Sequence, residues 1–138
     1  MKKSKHHLAD FTNNNLDKEI PKYYGEALCK IAQVDKNVVA LCADVAPPTE
    51  TDIFKNEFPD RFYNTGISEA NMIGLSSGMS RMGDIPFVHS FCVFITRRAY
   101  DQVAMQVSYP KTNVKLIGFL PGVTTMLGVS HQAIDDIA

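Results

Sequence analysis

Tyr24, Ala27, Leu28 and Ile31 recur at three- and four-residue intervals, a spacing that predicts an amphipathic helix. Pro21 suits its first turn, where the N–H that proline lacks would have no partner. After a turn at Lys36–Asn37 comes the continuous apolar run Val38–Cys42, the pattern of a strand buried on both faces of a parallel sheet. The sequence then predicts a short helix over Thr51–Phe58, a turn at Pro59–Asp60 and a strand at Arg61–Asn64. A longer helix is expected over Ser68–Met82, where Gly74, Ser76, Ser77 and Gly78 suit close packing, and a third strand over Pro86–His89. Phe94–Ser108 reads as a helix, Val114–Phe119 as a strand, and Ser130 as the start of a last amphipathic helix. That pattern reaches Asp136–Ile137–Ala138 without a stop signal, so the expectation is a fragment of a longer chain.

Strand and helix alternate throughout, which predicts an α/β fold: a parallel sheet with helices on both faces. Ligands of such sheets bind beyond the carboxyl ends of the strands. Asp44, the Gly66–Glu69 segment, Ser90–Phe94 and Gly118–Thr125 should therefore share one rim. Residues 1–20, polar and with Asn13, Asn14 and Asn15 in a row, read as a flexible lead-in, and 21–138 as one domain.

The composition adds mainly exclusions. A net charge of -1 gives no electrostatic reason to expect nucleic acid or an anionic membrane as partner. No apolar run approaches the roughly 18 residues of a membrane helix, and the N-terminus has no signal-peptide core. Cys29, Cys42 and Cys92 lack C-x-x-C spacing, so neither a disulfide framework nor a zinc site is expected, and the reading is a cytoplasmic protein.

Glu69 is the first candidate for chemistry. It follows Ser68, a good capping residue, at a helix start, and from spacing alone a capping or dipole carboxylate is the commoner explanation. Phe91 and Phe94 straddle a strand end and a helix start, where aromatic side chains are usually core but can also stack on a flat heterocycle. Arg97 and Arg98 read as a solvated face, and His131, beside Ser130, as a capping-region histidine. There is no G-x-G-x-x-G, no Walker A motif and no nucleophile elbow.

Taken in order, these segments resemble the pyrimidine-binding domain of the transketolase family. The string Asp60-Arg61-Phe62-Tyr63-Asn64-Thr65-Gly66-Ile67-Ser68-Glu69-Ala70-Asn71 is similar to the stretch around that family's catalytic glutamate. Ile85-Pro86-Phe87-Val88-His89-Ser90-Phe91-Cys92-Val93-Phe94, continuing through Thr96 to Gln102, is similar to its aromatic segment, and Ser130-His131-Gln132-Ala133-Ile134-Asp135-Asp136-Ile137-Ala138 to a later motif. The resemblance runs from Pro21 to Ala138 without reordering.

The resemblance implies a thiamine-diphosphate enzyme, and it implies roles residue by residue. Glu69 matches the glutamate that hydrogen-bonds N1′ of the aminopyrimidine, in a dry pocket where a carboxyl group can carry a proton. Phe91 and Phe94 match the aromatic surround of that ring, and Asp44 and Val45 a strand-end segment that reaches cofactor across a subunit boundary. Arg97 matches a cleft-lining position, counted with the cofactor contacts, and His131 a substrate-facing histidine. Nothing matches the family's diphosphate- and metal-binding half, so Mg²⁺ ligands are expected on a partner chain, in a dimer or heterotetramer. The implied activity is transfer of a two-carbon ketol unit from a ketose or ketose phosphate to an aldehyde. The enzyme alternatives are a 1-deoxyxylulose-5-phosphate synthase type and a 2-oxo acid dehydrogenase type, and the non-enzyme alternative is a scaffold or regulatory subunit. Pro21, Pro48 and the histidine-free loop Leu120–Gly128 depart from the family where it grips sugar phosphates.

Overall fold

A computed structural model describes Lys3–Ser4 and residues 20–123 and 125–137, with side chains from Pro21 onward. Of the expected lead-in, Lys3–Ser4 (β1) and Ile20–Pro21 (β2) form a short antiparallel pair, and the remainder lies outside the described residues.

Four strands form the main sheet: β3 (Val38–Cys42), β4 (Phe62–Asn64), β5 (Ile85–Phe91) and β6 (Lys115–Phe119), in the order β4-β3-β5-β6. All three pairings are parallel, with Ala40 opposite Phe62, Leu41 opposite Val88 and Ser90 opposite Gly118. From β3 the chain steps outward to the edge strand β4 and then returns to β5 on the other side of β3. The gap beyond the ends of β3 and β5 is thus the switch point where ligands of open α/β sheets sit.

Helices α1 (Tyr23–Val34) and α2 (Thr51–Glu57) cover one face, where Leu28, Ala32, Ile53 and Phe54 pack on Val38 and Ala40. Helix α3 (Glu69–Arg81) covers the other, with Met72, Ile73 and Ala99 against Val39, Leu41 and Val88. This explains why every residue of β3 is apolar and buried: alternate side chains feed opposite cores. Among the described residues no helix is long and apolar enough to cross a membrane.

The structure departs from the sequence expectation in several elements. Pro21 lies in β2, and α1 begins two residues later at Tyr23. Ser68 occupies the N-cap position of α3, but its hydroxyl donates to the Thr65 carbonyl at 2.7 Å instead of capping the helix. The expected Phe94–Ser108 helix is built of wide π-type turns at Phe94–Arg98 and Val103–Ser108 around a single α-turn, α4 (Tyr100–Gln102). The last helix does not form. Only a 3₁₀ turn, Val129–His131, is present, after which the Ala133 N–H donates to the Gly122 carbonyl at 2.8 Å. Asp136 accepts the Gly122 N–H at 3.2 Å and Asp135 pairs with Arg97, so tertiary partners hold this segment extended.

His89 stitches the sheet to α1. Its Nδ1 lies 2.9 Å from the Leu41 carbonyl, which can only accept, so Nδ1 carries the proton. The Tyr24 hydroxyl then donates to Nε2 at 2.5 Å. Burial pushes the imidazole pKa down to about 4, the bond to Leu41 opposing in part. The unfolded chain therefore takes up this proton first as pH falls. The stabilisation is complete above about pH 6.5 and is lost as pH falls from there toward about 4. Urea unfolding at pH 7.5 and pH 5 should show His89 alone accounting for a loss of about 2 kcal/mol. A His89→Gln variant should lose that share of the pH dependence.

Candidate active site

The carboxyl ends of β3, β4 and β5 converge on one rim, and Asn64 organises it. Its Oδ1 accepts the Asp44 N–H at 3.0 Å and the Gly66 N–H at 3.1 Å, and its Nδ2 donates to Asp44 Oδ1 at 3.0 Å. Asp44 adopts a left-handed backbone (φ 58°) that this reciprocal pair holds in place. Gly66 also has positive φ, 71°, which turns the chain from β4 into α3 and aims Glu69 back under the rim.

Glu69 is 1% exposed. Ser90, buried at the end of β5, donates its hydroxyl to Glu69 Oε1 at 3.0 Å. Arg98 donates from Nη1 to Oε2 at 2.9 Å. The Arg98 guanidinium also lies over the Phe94 ring, its Cζ 4.0 Å from the centroid. Phe94 neighbours Phe91 (centroids 6.2 Å apart), and the His131 ring stands edge-on to both, at 5.1 and 6.0 Å. Val45, Phe119 and Leu120 pack against the same cluster around Phe91, Val93 and Ala133.

The structure thus brings Phe91, Phe94, His131 and Val45 together, with Glu69 joined to Phe94 through Arg98, while Asp44, next in chain to Val45, is held by Asn64. Arg97 is not part of it. It turns away to form a two-point pair with Asp135, at 2.9 and 3.1 Å, and this guanidinium holds the Asp135 carboxyl below the usual carboxylate range. Arg97 and Asp135 line a separate cavity of about 590 Å³ with Cys92, Leu116 and Gly118. The arginine on Glu69 is its neighbour, Arg98. The Arg97–Arg98 pair drew notice in the sequence, but which of the two faces inward depends on the wide turn at Phe94–Arg98.

A buried carboxylate beside the face of a phenylalanine suits a flat, N–H-bearing heterocycle. The transketolase pyrimidine-binding domain profile matches residues 18–138. The chain belongs to the transketolase family, as its pyrimidine-binding domain. It is 42% identical over 122 residues to a putative transketolase C-terminal section of Methanocaldococcus jannaschii, covering 88% of this chain and 39% of that protein. It is 41% identical over 116 residues to a 6-deoxy-6-sulfo-D-fructose transketolase subunit of a Clostridium species, covering 83% of this chain and 36% of the relative. A 1-deoxy-D-xylulose-5-phosphate synthase of Clostridium perfringens is 38% identical over 115 residues, 83% of this chain and 18% of the synthase. A solved split-gene transketolase in an inactive β4 tetramer superposes with a TM-score of 0.70 at 42% identity, over 82% of this chain and 36% of that one. The chain therefore spans well under half the length of these relatives.

Transketolase family membership implies dependence on thiamine diphosphate. The side chains fit the aminopyrimidine part of that group: a carboxylate able to meet a ring nitrogen, and the Phe94 face able to stack.

Proposed function

We propose that this chain supplies the aminopyrimidine half of a thiamine-diphosphate site in a transferase that moves a two-carbon ketol unit from a ketose to an aldehyde. The observation that carries the reading is the buried Glu69 carboxylate set beside Phe94 at the switch point of the sheet. When bound, thiamine diphosphate supplies the carbon centre at which carbon–carbon bonds break and form. Glu69 holds and returns a proton at the ring nitrogen N1′. Ser90 fixes one carboxylate oxygen, so that the other is aimed. Phe91 and Phe94 keep water from the carboxylate, and His131, packed edge-on against them, faces the substrate side. Asp44 and Val45, at the rim, border the partner chain. Arg97, held by Asp135, is assigned no part in binding the ring.

Ketol transfer is preferred to the synthase reading because the relatives of higher identity carry transketolase names. Leu120, Pro21 and Pro48 offer no charge for a phosphate, and Lys22 is buried and paired with Asp52. A donor with another terminal group, or one gripped by residues outside this chain, should therefore serve better than the common pentose phosphates.

In this reading the diphosphate and Mg²⁺ belong to a partner chain. Calorimetry should then show weak thiamine-diphosphate binding by this chain alone, and tight Mg²⁺-dependent binding once the partner is added. Tight, Mg²⁺-dependent binding by the chain alone would contradict the division.

A further inference from the structure

Arg98 occupies two groups that the proposed site needs. It donates an N–H to Glu69 Oε2 at 2.9 Å while its guanidinium lies 4.0 Å over the Phe94 ring. A guanidinium and an aminopyrimidine are alike here: each is flat, and N1′ of the ring, once it has taken the proton, points an N–H at the carboxylate as the guanidinium does. The arginine thus makes the contacts the ring would make, to the same carboxylate and the same aromatic face. One of them has to give way when the other enters.

The two partners of Glu69 differ in how readily they yield. Ser90 is 0% exposed and fixed in β5. The Arg98 side chain is 45% exposed and springs from a π-type turn, so it can swing into water with little desolvation to recover. We propose that Arg98 is a latch over Glu69: it stands in the ring's place while the site is open and leaves when the ring binds. The proposal rests on the reading of Glu69 as the ring's partner. A ring that binds only the unlatched form has its apparent affinity reduced by the unlatched fraction. A latch open about a tenth of the time weakens binding about tenfold.

The probe is the pyrimidine half of thiamine, 4-amino-5-hydroxymethyl-2-methylpyrimidine, titrated calorimetrically into the full chain. Arg98→Ala should bind it about tenfold more tightly than wild type, and Glu69→Ala more weakly. In the Glu69→Ala background, adding Arg98→Ala should change affinity less than about twofold, because the latch has lost its catch. Unchanged or weaker binding by Arg98→Ala, or no measurable binding by any form, overturns the latch. If Arg98→Ala gives no gain while Glu69→Ala still weakens binding, the latch falls and the reading of Glu69 stands. If Glu69→Ala leaves the affinity unchanged, the reading of Glu69 fails and the latch falls with it. Should Arg98→Ala not fold, NMR of arginine-labelled wild-type chain decides. The Arg98 guanidinium signals should shift on adding the pyrimidine while those of Arg97 and Arg61 do not, and an unmoved Arg98 at saturation overturns the proposal.

Discussion

Replacing Glu69 by alanine should lower kcat of the assembled enzyme by at least about 10²-fold. Proton transfer by a positioned side chain contributes typically about 10² to 10⁴-fold, or roughly 3 to 5 kcal/mol of barrier. Alanine removes both the hydrogen bond to the ring nitrogen and the proton carrier, and it admits water beside Phe94. Glutamine keeps the size and can donate an N–H, but it cannot exchange a proton with the ring. Glu69→Gln should therefore fold, bind cofactor and still turn over poorly. Both variants leave Arg98 without its carboxylate, but that side chain is 45% exposed and can turn to solvent, so the fold should survive. A purely structural carboxylate at a helix start predicts the reverse: a stability loss of about 0.5–2 kcal/mol with turnover nearly intact. Steady-state kinetics and urea unfolding on the same variants separate the two.

The largest effect on stability is expected at Phe54. This ring is 0% exposed, packs with Leu28, Ala32, Val38 and Ala40 between α2 and the sheet, and meets Phe58 at 5.1 Å between centroids. Phe54→Ala removes a buried ring from a core that can close only in part, at about 3–5 kcal/mol. Against a total stability of about 5–15 kcal/mol, that loss would leave a marginal fold. Phe54→Leu, closer in volume, should lose much less. Chemical denaturation measures both, and an alanine variant within about 1 kcal/mol of wild type would mean that the α2 layer is not part of the cooperative core.

The elements whose burial follows from local pattern were legible in the sequence. Val38–Cys42 announced β3 because a strand covered on both faces has no polar positions, and the alternation of strand and helix led to the parallel sheet. The ordered segments around Glu69 and the two phenylalanines pointed to the family. What escaped was set by distant partners. The helical pattern after Ser130 is real, but Gly122 and Arg97 claim the backbone of Ala133 and the carboxylates of Asp136 and Asp135. Ser68 had capping chemistry, yet its hydroxyl turns back to donate to the Thr65 carbonyl and accepts no helix N–H. Arg61 looked like the start of a strand, whereas its guanidinium binds the carbonyls of Ala32 in the last turn of α1 and of Asp35, Lys36 and Val38 after it, and lies over Phe58. Spacing could not rank Arg98 above Arg97, because the choice is made by the width of a helical turn. Nor could it show that the Glu69 carboxylate is buried.

In the proposed site Glu69 moves the proton that activates the cofactor. The most direct measurement is the exchange rate of the C2 proton of bound thiamine diphosphate, followed by NMR in the assembly of this chain with its partner. Glu69→Ala should slow this exchange by at least about 10²-fold while cofactor remains bound. Exchange by Glu69→Ala as fast as by wild type would contradict it and leave Glu69 a structural carboxylate.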